Sequence, residues 1–183
     1  MRNRNLQIAV IAGACLVTFV LRMRMTSLPL DSMIALALLC GAVIKHPSAM
    51  LIPLAVRLLT DIALHRTGYG FYSSMPFDYA AYLVIAGLAW AVPVRRYAAT
   101  MFAGSLLGPA LFFAVSNFGV WCMWPEGYPQ TLAGLMSCYA AAIPFFKASL
   151  LGNFVFSLLF LAAWHMVRVP AANVGSQAVA SAD

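Results

Sequence analysis

SNFGVWCMWPEGYPQTLAGLMSCYAAAIPFF, residues 116–146, is the stretch on which the fold turns. An apolar run breaks into an aromatic-rich loop and resumes as a second apolar run. In that loop Trp121, Trp124 and Tyr128 lie beside Asn117, a dense set of hydrogen-bonding groups that suits either an interfacial aromatic belt or the mouth of a ligand site. Tyr128-Pro129 followed by Thr131 reads as a stiff turn that hands a capping hydroxyl to the next helix. Asn117 precedes Trp121 by one helical turn, so the two share a face. The amide needs a partner there, which is either protein backbone or a solute.

Composition extends this reading to the whole chain. Hydrophobic residues make up 63% and charged residues 9% of the 183 positions, and the mean hydropathy is +0.88. These values place the chain among integral membrane proteins. At roughly 20 residues per spanning helix, the length allows six spans joined by short loops. The net charge of +6 would suggest a nucleic-acid partner in a soluble protein. Here the cations sit singly or in pairs at the ends of apolar runs, where they act as topology signals, and no nucleic-acid partner is expected.

The apolar runs predict spans at about 6–21, 29–45, 48–65, 76–94, 98–121 and 148–168. A shorter helix at about 131–146, cut off by Pro144 and Lys147, is expected to be re-entrant or interfacial, with a seven-span bundle as the alternative. Residues 1–169 form one transmembrane domain, and the small, polar segment 170–183 reads as a disordered tail. The first run ends in Arg22 and Arg24 and lacks a small-residue cleavage site, so it reads as a retained span. Arg2, Arg4, Lys45, Arg95, Arg96 and Arg168 fall on one side of a six-span chain, against Arg22, Arg24 and Arg66 on the other. Both termini are therefore expected in the cytoplasm, with the loop around Tyr128 outside.

Arg57, Asp61 and His65 recur every four residues and make a polar stripe on the third helix. Ionisable groups at membrane depth turn inward and pair. Arg57 and Asp61 either lock helix packing as an intrahelical bridge or help hold an anionic or zwitterionic ligand. Ala9-x-x-x-Gly13 gives the first helix a small-residue face for packing or for docking another subunit. The segment GYGFYSS, 68–74, reads more readily as an aromatic belt than as a lid. Cys15, Cys40, Cys122 and Cys138 lack ligand spacing, and the acids form no metal pattern. No nucleophile–base arrangement or phosphate-binding glycine loop is present, so neither an enzyme nor a cofactor is expected.

SNFGVW and YPQTLAGLMSCYAAAIPFF, with LIPLAVRLLTDIALH upstream, resemble an uncharacterised bacterial membrane-protein family related to the S components of energy-coupling-factor (ECF) transporters. The resemblance covers about residues 29–165 and implies an all-α, six-helix bundle in the bacterial inner membrane. Such a bundle has no ATPase activity, captures a small solute at its outer face, and associates with a transmembrane coupling subunit and cytoplasmic ATPases. It further implies a pocket built from the outer helix ends and the loops at 22–28, 66–74 and 122–130. Asn153 departs from the pattern, because an acid is expected at that position. The ligand-binding set expected from residues and resemblance together is Arg57, Asp61, Asn117, Trp121, Tyr128 and Thr131, with Ala9 and Gly13 for partner docking. A non-transporting scaffold or accessory subunit of a larger membrane complex is the competing reading.

Overall fold

The computed structural model describes residues 2–24, 31–68 and 71–168. Six α-helices follow in order: α1 (Arg2–Met23), α2 (Met33–Val43), α3 (Leu51–His65), α4 (Met75–Ala91), α5 (Tyr97–Met123) and α6 (Leu132–Arg168). Short 3-10 turns at Pro47–Met50 and Val94–Arg96 lead into α3 and α5. No strand occurs among the described residues. Four segments are long and apolar enough to cross a membrane: Arg4–Met23, Pro47–His65, Val94–Met123 and Leu132–Arg168. α2 and α4 are shorter apolar helices. The predicted tail, like most of the first interhelical loop and Tyr69-Gly70 of the third, lies outside the described residues.

One expectation is corrected. The runs 131–146 and 148–168 are a single helix, so the short re-entrant or interfacial piece does not exist as a separate element. Pro144 and Lys147 lie inside α6 without ending it. A proline removes one helical hydrogen bond and crowds the preceding turn. In membrane helices that loss is tolerated when neighbouring groups take it up, and α5 likewise carries Pro109 in its interior. The Lys147 side chain is exposed, so its long stem can carry the ammonium away from the helix axis.

α2 is the centre of the bundle. Every residue from Met33 to Ala42 is buried, and α1, α3, α4, α5 and α6 all pack on it. A helix that is apolar all round belongs in the interior, which MIALALLCGAV provides. Small residues set the packing distance. A Cβ on Gly41 would overlap the Ala86 carbonyl oxygen and sit 2.9 Å from the Ala89 methyl of α4, and one on Gly108 of α5 would sit 2.7 Å from Ile34. Such close approach is how membrane helices gain dispersion contacts without a hydrophobic driving force.

The ends of α2 are tied by side chains. At its start Asp31 Oδ1 accepts from the Met33 N–H at 2.9 Å, and Asn153 Oδ1 of α6 accepts from the Ala35 N–H at 3.1 Å. Both N–H groups belong to the first turn, where no helical carbonyl is available. At its end the Lys45 ammonium donates to the carbonyls of Gly41, Trp90 and Val92 at 3.3, 2.9 and 2.7 Å, so one cation closes both α2 and α4. The same end of the bundle holds Arg168, which stacks on Tyr97 at 4.8 Å and donates to the Val94 carbonyl.

The wholly buried Asn153 also donates to the Ser149 carbonyl and hydroxyl, at 2.9 and 3.2 Å. Its amide thus donates and accepts at once, which an ionised acid cannot do. Asn153→Leu is expected to lower stability by about 1–2 kcal/mol, because it strands the Ala35 N–H. Thermal unfolding in detergent measures this, and an unchanged midpoint would mean that α2 begins without this bond.

Candidate functional site

The polar stripe on α3 sits inside a buried cluster made by three helices. Arg57 Nε donates to Asp61 Oδ2 at 2.8 Å, the expected intrahelical bridge. Asp61 Oδ1 accepts from Arg22 at the end of α1, also at 2.8 Å, and Arg22 Nε donates to Thr60 at 2.9 Å. From α4, the Tyr79 hydroxyl donates to Asp61 Oδ2 at 2.9 Å and Asp78 pairs with Arg57 at 3.4 Å. The guanidinium of Arg57 lies 5.7 Å from the ring centre of the buried Tyr82, whose hydroxyl is 3.4 Å from Arg57. Two guanidinium groups thus face two carboxylates, the balance that membrane burial demands.

Tyr72, in the segment before α4, completes the cluster. Its ring is partly exposed, but its hydroxyl accepts from Arg57 at 2.6 Å and donates to Asp78. Burial of the hydroxyl, opposed by the Arg57 cation, pushes the phenol well above its ordinary range. Tyr72 therefore remains a donor. His65, the last member of the stripe, is exposed and packs on Phe71 at 5.4 Å instead of joining the cluster.

The loop from Trp124 to Thr131 closes on itself. Trp121 Nε1 donates to the Pro129 carbonyl at 3.0 Å, and Gln130 Nε2 donates back to the Trp121 carbonyl at 2.5 Å. Tyr128 meets Trp124 edge to face at 5.6 Å. Thr131 Oγ1 accepts from the Gly134 N–H at 3.1 Å, the cap that its place in the sequence predicts. Asn117 donates through Nδ2 to the Phe113 carbonyl at 2.8 Å, while its Oδ1 has no partner among the described residues.

A cleft of about 430 Å³ opens between α5 and α6 beside the start of α2. Its walls are Phe112, Phe113, Phe145 and Phe146, with Asp31, Ser116, Asn117 and Ser149 as the polar groups. Of the six ligand-binding residues expected from the sequence, only Asn117 lines it. α3 and α5 do not pack on one another among the described residues, so Arg57 and Asp61 are not brought to the Asn117 face. Tyr82 is the link, reaching Arg57 with its hydroxyl and packing at a tilt on Phe112, ring centres 4.9 Å apart. Ala9 and Gly13 are exposed on α1, and space is open around Gly13. Among the described residues nothing packs against Gly13.

The residues missed by sequence reading are Arg22, Asp78, Tyr79 and Tyr82 around the stripe, and Asp31, Ser116 and Ser149 in the cleft. Asp78 and Tyr82 stand four apart on α4 and could have been paired with the α3 stripe by the same spacing rule. Nothing local joins positions 31, 116 and 149. Among known proteins, one family model, described as a family of unknown function, matches residues 2–175. No curated protein matches the chain, and no solved structure does.

Proposed function

We propose that this chain, which belongs to the family of unknown function DUF6580, is a membrane solute-binding subunit that takes a small molecule into the cleft between α5 and α6. The observation that carries this reading is the cleft itself. Its volume falls in the range of small-molecule sites, roughly 300–1,000 Å³, and it has the apolar walls and few fixed polar groups that such sites share. The cleft lies toward the end of the bundle that holds Arg22 and the α1–α2 connection. Lys45, Arg95, Arg96 and Arg168 gather at the other end, which the charge rule assigns to the cytoplasm. On this reading the cleft is approached from outside, as in the S components that the sequence resembles. The open Ala9–Gly13 face then serves a transmembrane coupling subunit, and associated ATPases supply the energy.

One feature favours an accessory role instead. Leu132, Met136, Ile143 and Phe145 are exposed along the first half of α6, a surface that could serve a protein neighbour as well as lipid. Native mass spectrometry of the gently purified protein separates the two. A retained small molecule that Ala142→Trp displaces by filling the cleft is the expected result. A stoichiometric protein partner with no small molecule would favour the accessory subunit.

A further inference from the structure

The acids of this chain are not equivalent. Asp61 and Asp78 are each bonded to a guanidinium, and Glu126 is exposed in the loop after α5. Asp31 is half-buried on the cleft and has no cation within ion-pairing distance among the described residues. Among the described residues only one of its oxygens is engaged, Oδ1 with the Met33 N–H. A carboxylate beside an apolar cleft at a helix start is stabilised in part by the helix dipole, but its second oxygen has no donor among those residues.

The other polar groups of the cleft point to the same chemistry. Asn117 has given its Nδ2 to the Phe113 carbonyl. Because a carbonyl can only accept, this fixes which end of the amide is engaged and leaves Oδ1 as the available acceptor. Ser149 Oγ already accepts from Asn153, which leaves its O–H to donate, and the Ser116 hydroxyl can do either. The fixed, uncommitted groups, Asp31 Oδ2 and Asn117 Oδ1, are both acceptors and carry one formal negative charge, in a cleft lined by four phenylalanines, a residue type whose ring can attract a cation.

On the solute-binding reading, we infer that the cleft takes a protonated primary or secondary amine carried on an apolar body. The ammonium N–H groups donate to Asp31 Oδ2 and Asn117 Oδ1, and the apolar part lies among Phe112, Phe113, Phe145 and Phe146. An anion would meet the Asp31 charge with no compensating cation. A neutral apolar solute would leave the carboxylate unanswered in a medium of low dielectric constant.

The test is calorimetric titration of the full chain in phosphatidylcholine nanodiscs near neutral pH, with empty discs as the blank. Three probes of similar shape are compared: 2-phenylethylammonium, 2-phenylethanol and 3-phenylpropionate. The ammonium is expected to bind saturably and about tenfold or more tighter than the alcohol, with a similar loss in Asp31→Asn, since a charge-assisted hydrogen bond is removed in each case. Asn keeps an acceptor for the Met33 N–H, and the comparison of probes on the unaltered protein does not depend on any variant folding. Equal or tighter binding of the alcohol or the propionate would overturn the amine assignment while leaving a solute cleft in place. So would a molecule retained in native mass spectrometry that lacks a basic nitrogen. Failure of all three probes, with nothing retained, would overturn the amine assignment and the solute-binding reading together.

Discussion

Asp61→Leu is expected to cost this protein about 3–5 kcal/mol, the usual penalty for removing one partner of a buried ion pair. The loss is at the upper end because one carboxylate serves three groups: Arg57 and Arg22 at 2.8 Å and the Tyr79 hydroxyl at 2.9 Å. Without it Arg57 is left with Asp78 at 3.4 Å, and Arg22 loses its carboxylate partner at 2.8 Å. Arg57→Met strands Asp78, whose guanidinium partner it is, while Asp61 keeps Arg22. The double variant Arg57→Met/Asp61→Leu restores neutrality and is expected to recover part of either single loss. Recovery is incomplete, because Arg22 and Asp78 remain and have no bond to one another among those described. Thermal midpoints of the four proteins in detergent form the cycle. Strictly additive losses would mean that the two side chains do not stabilise one another.

Gly41→Val is expected to destabilise by about 3 kcal/mol, at the upper end for overpacked interiors. In an exposed helix, replacing glycine would help or be neutral, because glycine is the poorer helix former by about 1 kcal/mol relative to alanine. At Gly41 the sign reverses. The first added carbon overlaps a backbone carbonyl of α4, and α2 is enclosed on every side, so a helix must move where a side chain could have rotated. Gly13→Val is the control: with nothing within 4 Å, it should change the unfolding midpoint of the isolated protein little. Equal effects at the two glycines would remove the argument that close α2–α4 contact holds the bundle together.

Much of this architecture was legible in the residues. Apolar runs placed five of the helices, the spacing of Arg57 and Asp61 gave their bridge, and Thr131 announced its cap. Each of these is decided within one or two turns of chain. α6 was misread because proline and lysine are local interruption signals, whereas the continuity of a membrane helix depends on what surrounds it. The partners of the stripe were only half legible, since periodicity tells which face a residue occupies and not which helix lies opposite. Asn117 lines a cleft that is completed by Asp31 and Ser149. Those positions become neighbours only once α2, α5 and α6 are packed. The family itself was legible, whereas its relation to S components is a matter for binding experiments.

The brevity of α2 has an electrical consequence. Eleven residues at 1.5 Å each give a rod of about 16 Å, half of a hydrocarbon layer of about 30 Å. Asp31 and Lys45 flank it, and the Lys45 ammonium folds back onto the Gly41 carbonyl. If α2 runs across the layer, these two charges are too close to stand on its opposite surfaces. At least one of them then lies within the hydrocarbon depth. The insulating slab would then be thinner along the molecular axis than at its rim. A transmembrane voltage would fall more steeply there, so a charge moving between the ends of α2 would cross a disproportionate share of it.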